Sequence, residues 1–251
     1  MNPVRGDLAA VAIETATETV GVAVRTVDGV EAEFALTGRR RHVETLMPAL
    51  EHLLERVGLV PGDLGVVAVD IGPGLFTGLR VGVAAAKGLA QALGIGVVCA
   101  TSLDVLTVAA AETGQSGFVL ACVDARRGEV FAALRELDQG GKTVAEPLEP
   151  ALWAPGELAA GLGRLAEAPV YAVGDGAQRY REVFSKASGV HVVAPALAFP
   201  PPLTLLRLVS ARLERGEAPV DAASVVPLYM READARSNFV LARGETELES
   251  R

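Results

Sequence analysis

The residues best suited to chemistry lie in one short stretch, where an apolar strand leads through a glycine-rich turn into a helix. Residues 66–69 form the strand, which ends at the carboxylate of Asp70, and a helix is predicted over 78–93. Free N–H groups at the start of a helix can hold an anion, and glycine lets the backbone approach it. The candidate phosphate-binding residues of this turn are Gly72, Gly74 and Thr77, with Thr77 as the predicted N-cap. The stretch is neither a Walker A loop nor a Gly-x-Gly-x-x-Gly fingerprint, so it does not by itself identify a nucleotide.

Two further turns resemble nucleotide-contacting turns of the actin/Hsp70/sugar-kinase superfamily. A continuous apolar strand over 8–13 leads into a turn over 14–17 and then into a hairpin marked by Asp28-Gly29. In that superfamily the first turn reads Asp-x-Gly-Thr and approaches phosphate and metal. Here Glu14 replaces the aspartate and Ala16 places a β-carbon where glycine would admit a phosphate, so an ordinary strand-to-hairpin turn is an equal alternative and we expect no hydrolysis there. The nucleotide-binding candidates that this resemblance implies are Thr15, Thr17, Gly174 and Gly176.

The helix over 78–93 carries a stripe of small residues, which recur every four positions at Gly78, Gly82, Ala86, Ala90 and Gly94. Glycine inside a helix costs roughly 1 kcal/mol relative to alanine. The stripe therefore predicts that another backbone comes close, either a strand of the same chain or a helix of a partner. An amphipathic helix is also predicted over 39–57, with a bend or break at Pro48.

The sequence GPGLFTGLRVG, residues 72–82, resembles the GPGSFTGLRIG signature of the bacterial TsaB family, also called YeaZ. Shorter family motifs are matched over 42–48, 124–130 and 227–231. Members of this family serve in making threonylcarbamoyladenosine at position 37 of tRNA. The resemblance implies an α/β fold with two actin/Hsp70/sugar-kinase-like (ribonuclease H-like) αβ subdomains over 1–101 and 102–232, followed by a flexible tail over 233–251.

The resemblance also implies a non-catalytic partner subunit. TsaB pairs with the related catalytic subunit TsaD, and the pair engages the ATPase TsaE. A homodimer is expected when TsaD is absent, and tRNA is contacted only indirectly. No catalytic residue and no metal ligand is predicted, because Ser102 and Leu106 stand where TsaD carries a metal-binding histidine pair. No cofactor is assigned to the isolated chain, and ATP or ADP with Mg²⁺ is expected, if bound, at the interface of the complex. On this hypothesis the partner-interface residues are His42, Leu46, Leu50, Leu53, Leu79, Gly82, Val83, Ala86 and Ala90.

Composition restricts the class of protein. The chain has 251 residues, of which 50% are hydrophobic, and its net charge of −8 argues against a self-sufficient nucleic-acid binder. It has two cysteines, no secretory signal and no apolar run of about 18 residues, so a cytoplasmic protein without a membrane anchor is expected. Two enzymatic interpretations remain as alternatives: an ATP-dependent kinase or ATPase that uses the three turns, and a metallopeptidase, since relatives have carried a glycoprotease label.

Overall fold

A computed structural model describes residues 8–38, 41–162 and 168–231. The first half of the chain forms a five-stranded sheet with the order β3-β2-β1-β4-β5, in which β1 pairs antiparallel with β2 and parallel with β4. Its elements are β1 (Ala9–Glu14), β2 (Thr19–Arg25), β3 (Glu31–Thr37), α1 (His42–Val57), β4 (Leu64–Asp70), α2 (Phe76–Leu93) and β5 (Gly96–Ala100), and α3 (Ser102–Glu112) leads to the second half.

The second half repeats this strand order, because its sheet reads β8-β7-β6-β9-β10. Its elements are β6 (Gly117–Arg126), β7 (Glu129–Leu137), β8 (Thr143–Trp153), α4 (Pro155–Leu162), β9 (Val170–Val173), α5 (Asp175–Arg179), α6 (Arg181–Phe184), β10 (Val190–Val192) and α7 (Pro202–Glu214). In both sheets the first strand lies at the centre, pairs antiparallel with the second and parallel with the fourth. Two ribonuclease H-like units in one chain are the arrangement of the actin/Hsp70/sugar-kinase superfamily, so the predicted fold class is confirmed.

Strand β1 is buried along its whole length because helices cover both of its faces. Val11 and Ile13 face the side that α1 and α2 cover, while Ala10 and Ala12 face Leu205 and its neighbours on α7. A continuous apolar run is typical of such a doubly covered central strand.

The predicted subdomain division differs from the structure in one respect. Helix α7 was assigned to the subdomain over 102–232, but it packs on β1 and β2 of the first sheet. The segment 219–231 also returns to the first half, where Val220 bridges to Val97 of β5 and the backbone N–H of Leu228 donates to the oxygen of Ile71 at 2.7 Å. The predicted tail over 233–251 lies outside the described residues.

Two predicted helix boundaries are corrected. Helix α1 runs unbroken through Pro48, whose ring lies on the exposed side, and residues 39–40 of the prediction lie outside the described part. Helix α2 begins at Phe76 with Leu75 as its N-cap, so Thr77 lies in the first turn and is not the cap. Within the described ranges, no helix combines the length and the apolar character that crossing a bilayer requires.

Candidate functional site

Two carboxylates meet where the neighbouring parallel strands β1 and β4 end. Glu14 and Asp70 are both fully buried. One oxygen of Glu14 accepts from the backbone N–H of Ala16 at 2.8 Å, and one oxygen of Asp70 accepts from the N–H of Gly72 at 2.7 Å and from the hydroxyl of Ser102 at 3.0 Å. Burial raises the pKa of Glu14 well above its ordinary value, with the negative charge of Asp70 adding to the effect, and burial also raises the pKa of Asp70. The pair is therefore sealed inside the protein.

The turn after β1 is seated directly on the start of α2. The hydroxyl of Thr15 donates to the backbone oxygen of Gly78 at 2.8 Å, and the backbone N–H of Leu75 donates to the oxygen of Ala16 at 2.6 Å. A β-carbon on Gly78 would lie 2.0 Å from the backbone oxygen of Thr15, and one on Gly82 would lie 2.1 Å from the Thr15 hydroxyl. The close approach that the small-residue stripe predicts is thus made within the chain, by this turn.

This contact engages, within the chain itself, several of the groups that are predicted to bind phosphate at the first two turns. Thr15 and Thr17 are buried, and a β-carbon on Gly74 would lie 2.0 Å from the oxygen of Ala16. The N–H of Gly72 is bonded to Asp70, so it is not free to hold an anion. A phosphate would have to displace these contacts. Thr77 remains exposed on α2.

The third predicted turn, which contains Gly174 and Gly176, packs closely against strand β6. A β-carbon on Gly174 would lie 2.1 Å from the backbone oxygen of Cys122, and one on Gly176 would lie 2.9 Å from the same atom. Gly174 has a φ of 101°, which other residues rarely adopt. Both glycines therefore allow α5 to pack against β6.

The second half carries its own carboxylates at the ends of β6 and β9. The backbone N–H of Asp124 donates to Asp175 at 2.9 Å, and burial raises the pKa of Asp175 to about 6. Asp124 is ion-paired with Arg126 at 2.9 Å and with Arg179 at 3.6 Å. The two halves thus place acidic groups at equivalent strand ends, and in the second half arginines close by balance their charge. Sequence reasoning did not single out Asp175, although its place after a buried strand was a usable signal.

A cavity of about 510 Å³ lies between the two halves, beside the start of α2. At its rim the guanidinium of Arg80 lies 3.8 Å from the centre of the Phe76 ring and donates to the hydroxyl of Tyr229 at 3.1 Å. Arg126 and Arg231 also line it, each held by carboxylates. The cavity therefore combines the rings of Phe76 and Tyr229 with the guanidinium of Arg80, while Asp124 and the carboxylates paired with Arg126 and Arg231 balance the other positive charges.

The nine predicted partner-interface residues are all buried inside the monomer. His42, for example, contacts the backbone oxygen of Thr17 at 3.0 Å. Residues that the core already covers have no surface to bury against a partner, so the structure contradicts the prediction for these side chains. The nine buried residues are His42, Leu46, Leu50, Leu53, Leu79, Gly82, Val83, Ala86 and Ala90.

The opposite side of these helices is exposed. Val43 and Met47 of α1 have 73% and 49% of their surface accessible, which is high for apolar side chains. Helix α2 exposes three small residues spaced four apart, Ala84, Gly88 and Ala92. A β-carbon on Gly88 would meet no atom within 4 Å. We call these five residues the α1/α2 face.

The two residues that stand where TsaD carries its metal-binding histidines, Ser102 and Leu106, both make contacts that stabilise the fold. Ser102 donates to Asp70, and Leu106 is fully buried in the core of the second half. In the part of the chain that the structure describes, no three His, Cys, Asp or Glu side chains cluster so as to hold a metal ion.

Comparisons with known proteins give consistent matches. The family model described as "TsaD: tRNA N6-adenosine threonylcarbamoyltransferase" matches residues 24–239. The chain is 30% identical over 233 residues to the tRNA threonylcarbamoyladenosine biosynthesis protein TsaB of Bacillus subtilis, covering 91% of this chain and 96% of that protein. It is 34% identical over 141 residues to TsaB of Escherichia coli, covering 56% of this chain and 61% of that protein. The solved structure of YeaZ from Pseudomonas aeruginosa matches with a TM-score of 0.75 at 27% identity, over 88% of this chain and 99% of that one.

Proposed function

Since the chain belongs to the TsaB (YeaZ) family of tRNA threonylcarbamoyladenosine biosynthesis proteins, we propose that it is a non-catalytic partner subunit of the complex that modifies position 37 of tRNA. In this role it binds and supports a TsaD-like catalytic subunit and engages a TsaE-like ATPase. A net charge of −8 favours indirect rather than direct contact with tRNA. Both cysteines are free, which fits a reducing cytoplasm.

One observation carries the non-catalytic assignment: the turn after β1 is bonded to the start of α2. The N–H of Leu75 donates to the oxygen of Ala16, and the carboxylates of Glu14 and Asp70 are buried beneath the turn. General acid–base work requires a group within hydrogen-bond reach of a substrate. Buried carboxylates lack that access to a substrate. We therefore assign the subunit the role of binding its partner proteins and not that of catalysing the reaction.

The α1/α2 face is the surface we assign to the TsaD-like subunit. Its exposed apolar residues, Val43 and Met47, and its exposed small residues on α2 lie on the sides of these helices that the core does not cover, and small side chains let a partner helix approach closely. A second copy of the chain can use the same face when the partner is absent, because a two-fold contact joins identical patches.

A tryptophan at Gly88 tests this assignment. The position is exposed and open in the monomer, so Gly88→Trp is expected to leave the fold intact while weakening binding of a TsaD-like subunit at least about tenfold. Gly161→Trp on α4 is the matched control, because Gly161 is also an exposed helical glycine with no atom near its added β-carbon. Co-purification and titration against the partner measure the effect. Unchanged binding by Gly88→Trp would remove α2 from the interface.

We place ATP or ADP with Mg²⁺ at the interface of the complex, not in the isolated chain. The reason is the packing of the turn after β1 against α2, which buries Thr15 and Thr17, so the open cavity beside Arg80 is the place where a partner could complete a nucleotide site. Calorimetry with Mg-ATP is expected to give no binding heat with the isolated chain and to give heat with the paired subunits. Micromolar binding by the isolated chain would favour the alternative of an ATP-dependent kinase or ATPase.

A further inference from the structure

Two oxygen atoms at the ends of β1 and β4 have no donor. They are the second carboxyl oxygens, Oε2 of Glu14 and Oδ2 of Asp70, and both are fully buried. Their sister atoms are bonded, Oε1 of Glu14 to Ala16 and Oδ1 of Asp70 to Gly72 and Ser102. Buried polar atoms in folded proteins almost always have a partner. The two unsatisfied oxygens lie on side chains that interact with each other, so the missing element belongs between them.

A single proton satisfies both atoms. Two adjacent carboxylates in a buried site cannot both be charged without a large cost, and sharing one proton removes that cost. The bonding also indicates which residue holds it. Asp70 already accepts two hydrogen bonds, which stabilise its anion, whereas Glu14 accepts one. Glu14 is thus the donor and Asp70 the acceptor.

We propose that Glu14 remains protonated at neutral pH and donates to Asp70, and that this shared proton fastens together three elements that meet at the end of the first sheet. The elements are the turn after β1, the loop that leads into α2 and the start of α3. Glu14 holds the first through Ala16, and Asp70 holds the other two through Gly72 and Ser102. The backbone N–H of Ser102 donates to the oxygen of Gly72 at 3.0 Å, so loop and helix are also joined directly.

The surrounding charges favour retention of the proton. Asp104, in the first turn of α3, adds a small increase to the pKa of Asp70, and its carboxylate is itself paired with Arg135 at 2.8 Å and with Arg212 at 3.1 Å. Helix α1 contributes His42, whose ring contacts the backbone oxygen of Thr17 and not the carboxyl pair, and the turn contributes Glu18, which is paired with Arg126. Helix α2 meets the turn with glycines.

The pH dependence of stability tests the proposal. The unfolded chain releases the Glu14 proton above about pH 4.5, while the folded chain keeps it, so this group makes the unfolding equilibrium constant rise about tenfold per pH unit above that value. In Glu14→Gln the amide N–H₂ group donates to Asp70 at every pH, because it has no titratable proton to lose, and the amide oxygen still accepts from the N–H of Ala16. The ratio of the unfolding constants of wild type and Glu14→Gln is therefore expected to grow with pH until the folded pair ionises.

Glu51→Gln is the matched control, because Glu51 is exposed on α1, and its ratio to wild type is expected to stay flat. A flat ratio for Glu14→Gln as well would overturn the proposal. Infrared spectra give a direct readout, since a protonated carboxyl band at neutral pH is expected in wild type and not in Glu14→Gln.

A double variant keeps the test decisive if Glu14→Gln folds poorly. Asp70→Asn alone also places one donor between the two side chains, whereas Glu14→Gln with Asp70→Asn places two donors face to face with no acceptor. The double variant is expected to lose more free energy of unfolding than the sum of the losses in the two single variants. If the losses simply add, the two side chains do not share a proton. The remaining possibility is a bridging cation. Stabilisation of wild type by added Mg²⁺, absent in Glu14→Gln, would replace the proton with a metal ion and sink the proposal.

Discussion

Replacing Gly78 with alanine is expected to destabilise the protein by about 1–6 kcal/mol, although alanine is the better helix former. The added β-carbon would lie 2.0 Å from the backbone oxygen of Thr15, where ordinary contacts begin at 3.4 Å, so the turn must retreat by about 1.4 Å, the difference of the two. Overpacking of this kind costs about 1–3 kcal/mol, and loss of the buried Thr15 hydrogen bond adds about 1–3 kcal/mol. The gain in helix propensity offsets up to about 1 kcal/mol of that cost.

Gly88→Ala on the same helix is the control. No atom lies within 4 Å of its added β-carbon, so only the propensity term remains and stability should increase by about 0.5–1 kcal/mol. For a chain of this size 1 kcal/mol corresponds to roughly 2–4 °C in Tm. Thermal unfolding followed by circular dichroism should therefore show a lower Tm for Gly78→Ala, by about 2–24 °C, and a slightly higher Tm for Gly88→Ala. If both variants gained stability, the turn after β1 would not be seated on α2.

Two further outcomes are expected. Burial raises the pKa of Asp175 to about 6, so the stability it contributes is present below the ordinary pKa near 4 and is lost as pH rises through 6. Asp175→Asn keeps the bond from the N–H of Asp124 and should exceed wild type by up to about 3 kcal/mol at pH 8 but match it near pH 4, as measured by urea unfolding. Lys87 of α2 donates to two backbone oxygens of the segment 219–231, at 3.1 and 3.0 Å. Lys87→Met should speed proteolysis within that segment several-fold, a rate that Lys186→Met on the exposed surface should leave unchanged.

Much of the fold follows from local pattern. The continuous apolar run at 8–13 predicts a central strand, and Asp28-Gly29 predicts the hairpin that follows it, because both signals lie within a few residues. The start of α2 could not be found in this way. Leu75 has no side chain able to cap a helix, and the chain is held at this point by the bond from the N–H of Leu75 to the oxygen of Ala16, almost sixty residues earlier. A contact with so distant a turn leaves no mark in the local sequence.

The partner face was misplaced for a related reason. An apolar or small-residue stripe predicts that a helix face is covered, but it does not predict what covers it. Leu46, Leu50 and Leu53 of α1 and the stripe of Gly82, Ala86 and Ala90 on α2 are covered by the first sheet and its turn. The pairing of these elements depends on contacts between segments far apart in sequence, so spacing alone could not separate core from interface.

Helix α2 carries small residues on both sides, and the monomer accounts for one side only. Gly78 and Gly82 are required by the turn that lies against them, whereas Gly88 meets nothing and costs the isolated helix roughly 1 kcal/mol. A close-packed partner backbone is the physical setting in which that cost is offset. Gly88→Ala should therefore stabilise the isolated chain and weaken its binding to a TsaD-like subunit, measured on the same preparation. If binding strengthens along with stability, the exposed glycine serves no partner and the surface that binds the TsaD-like subunit lies outside the α1/α2 face.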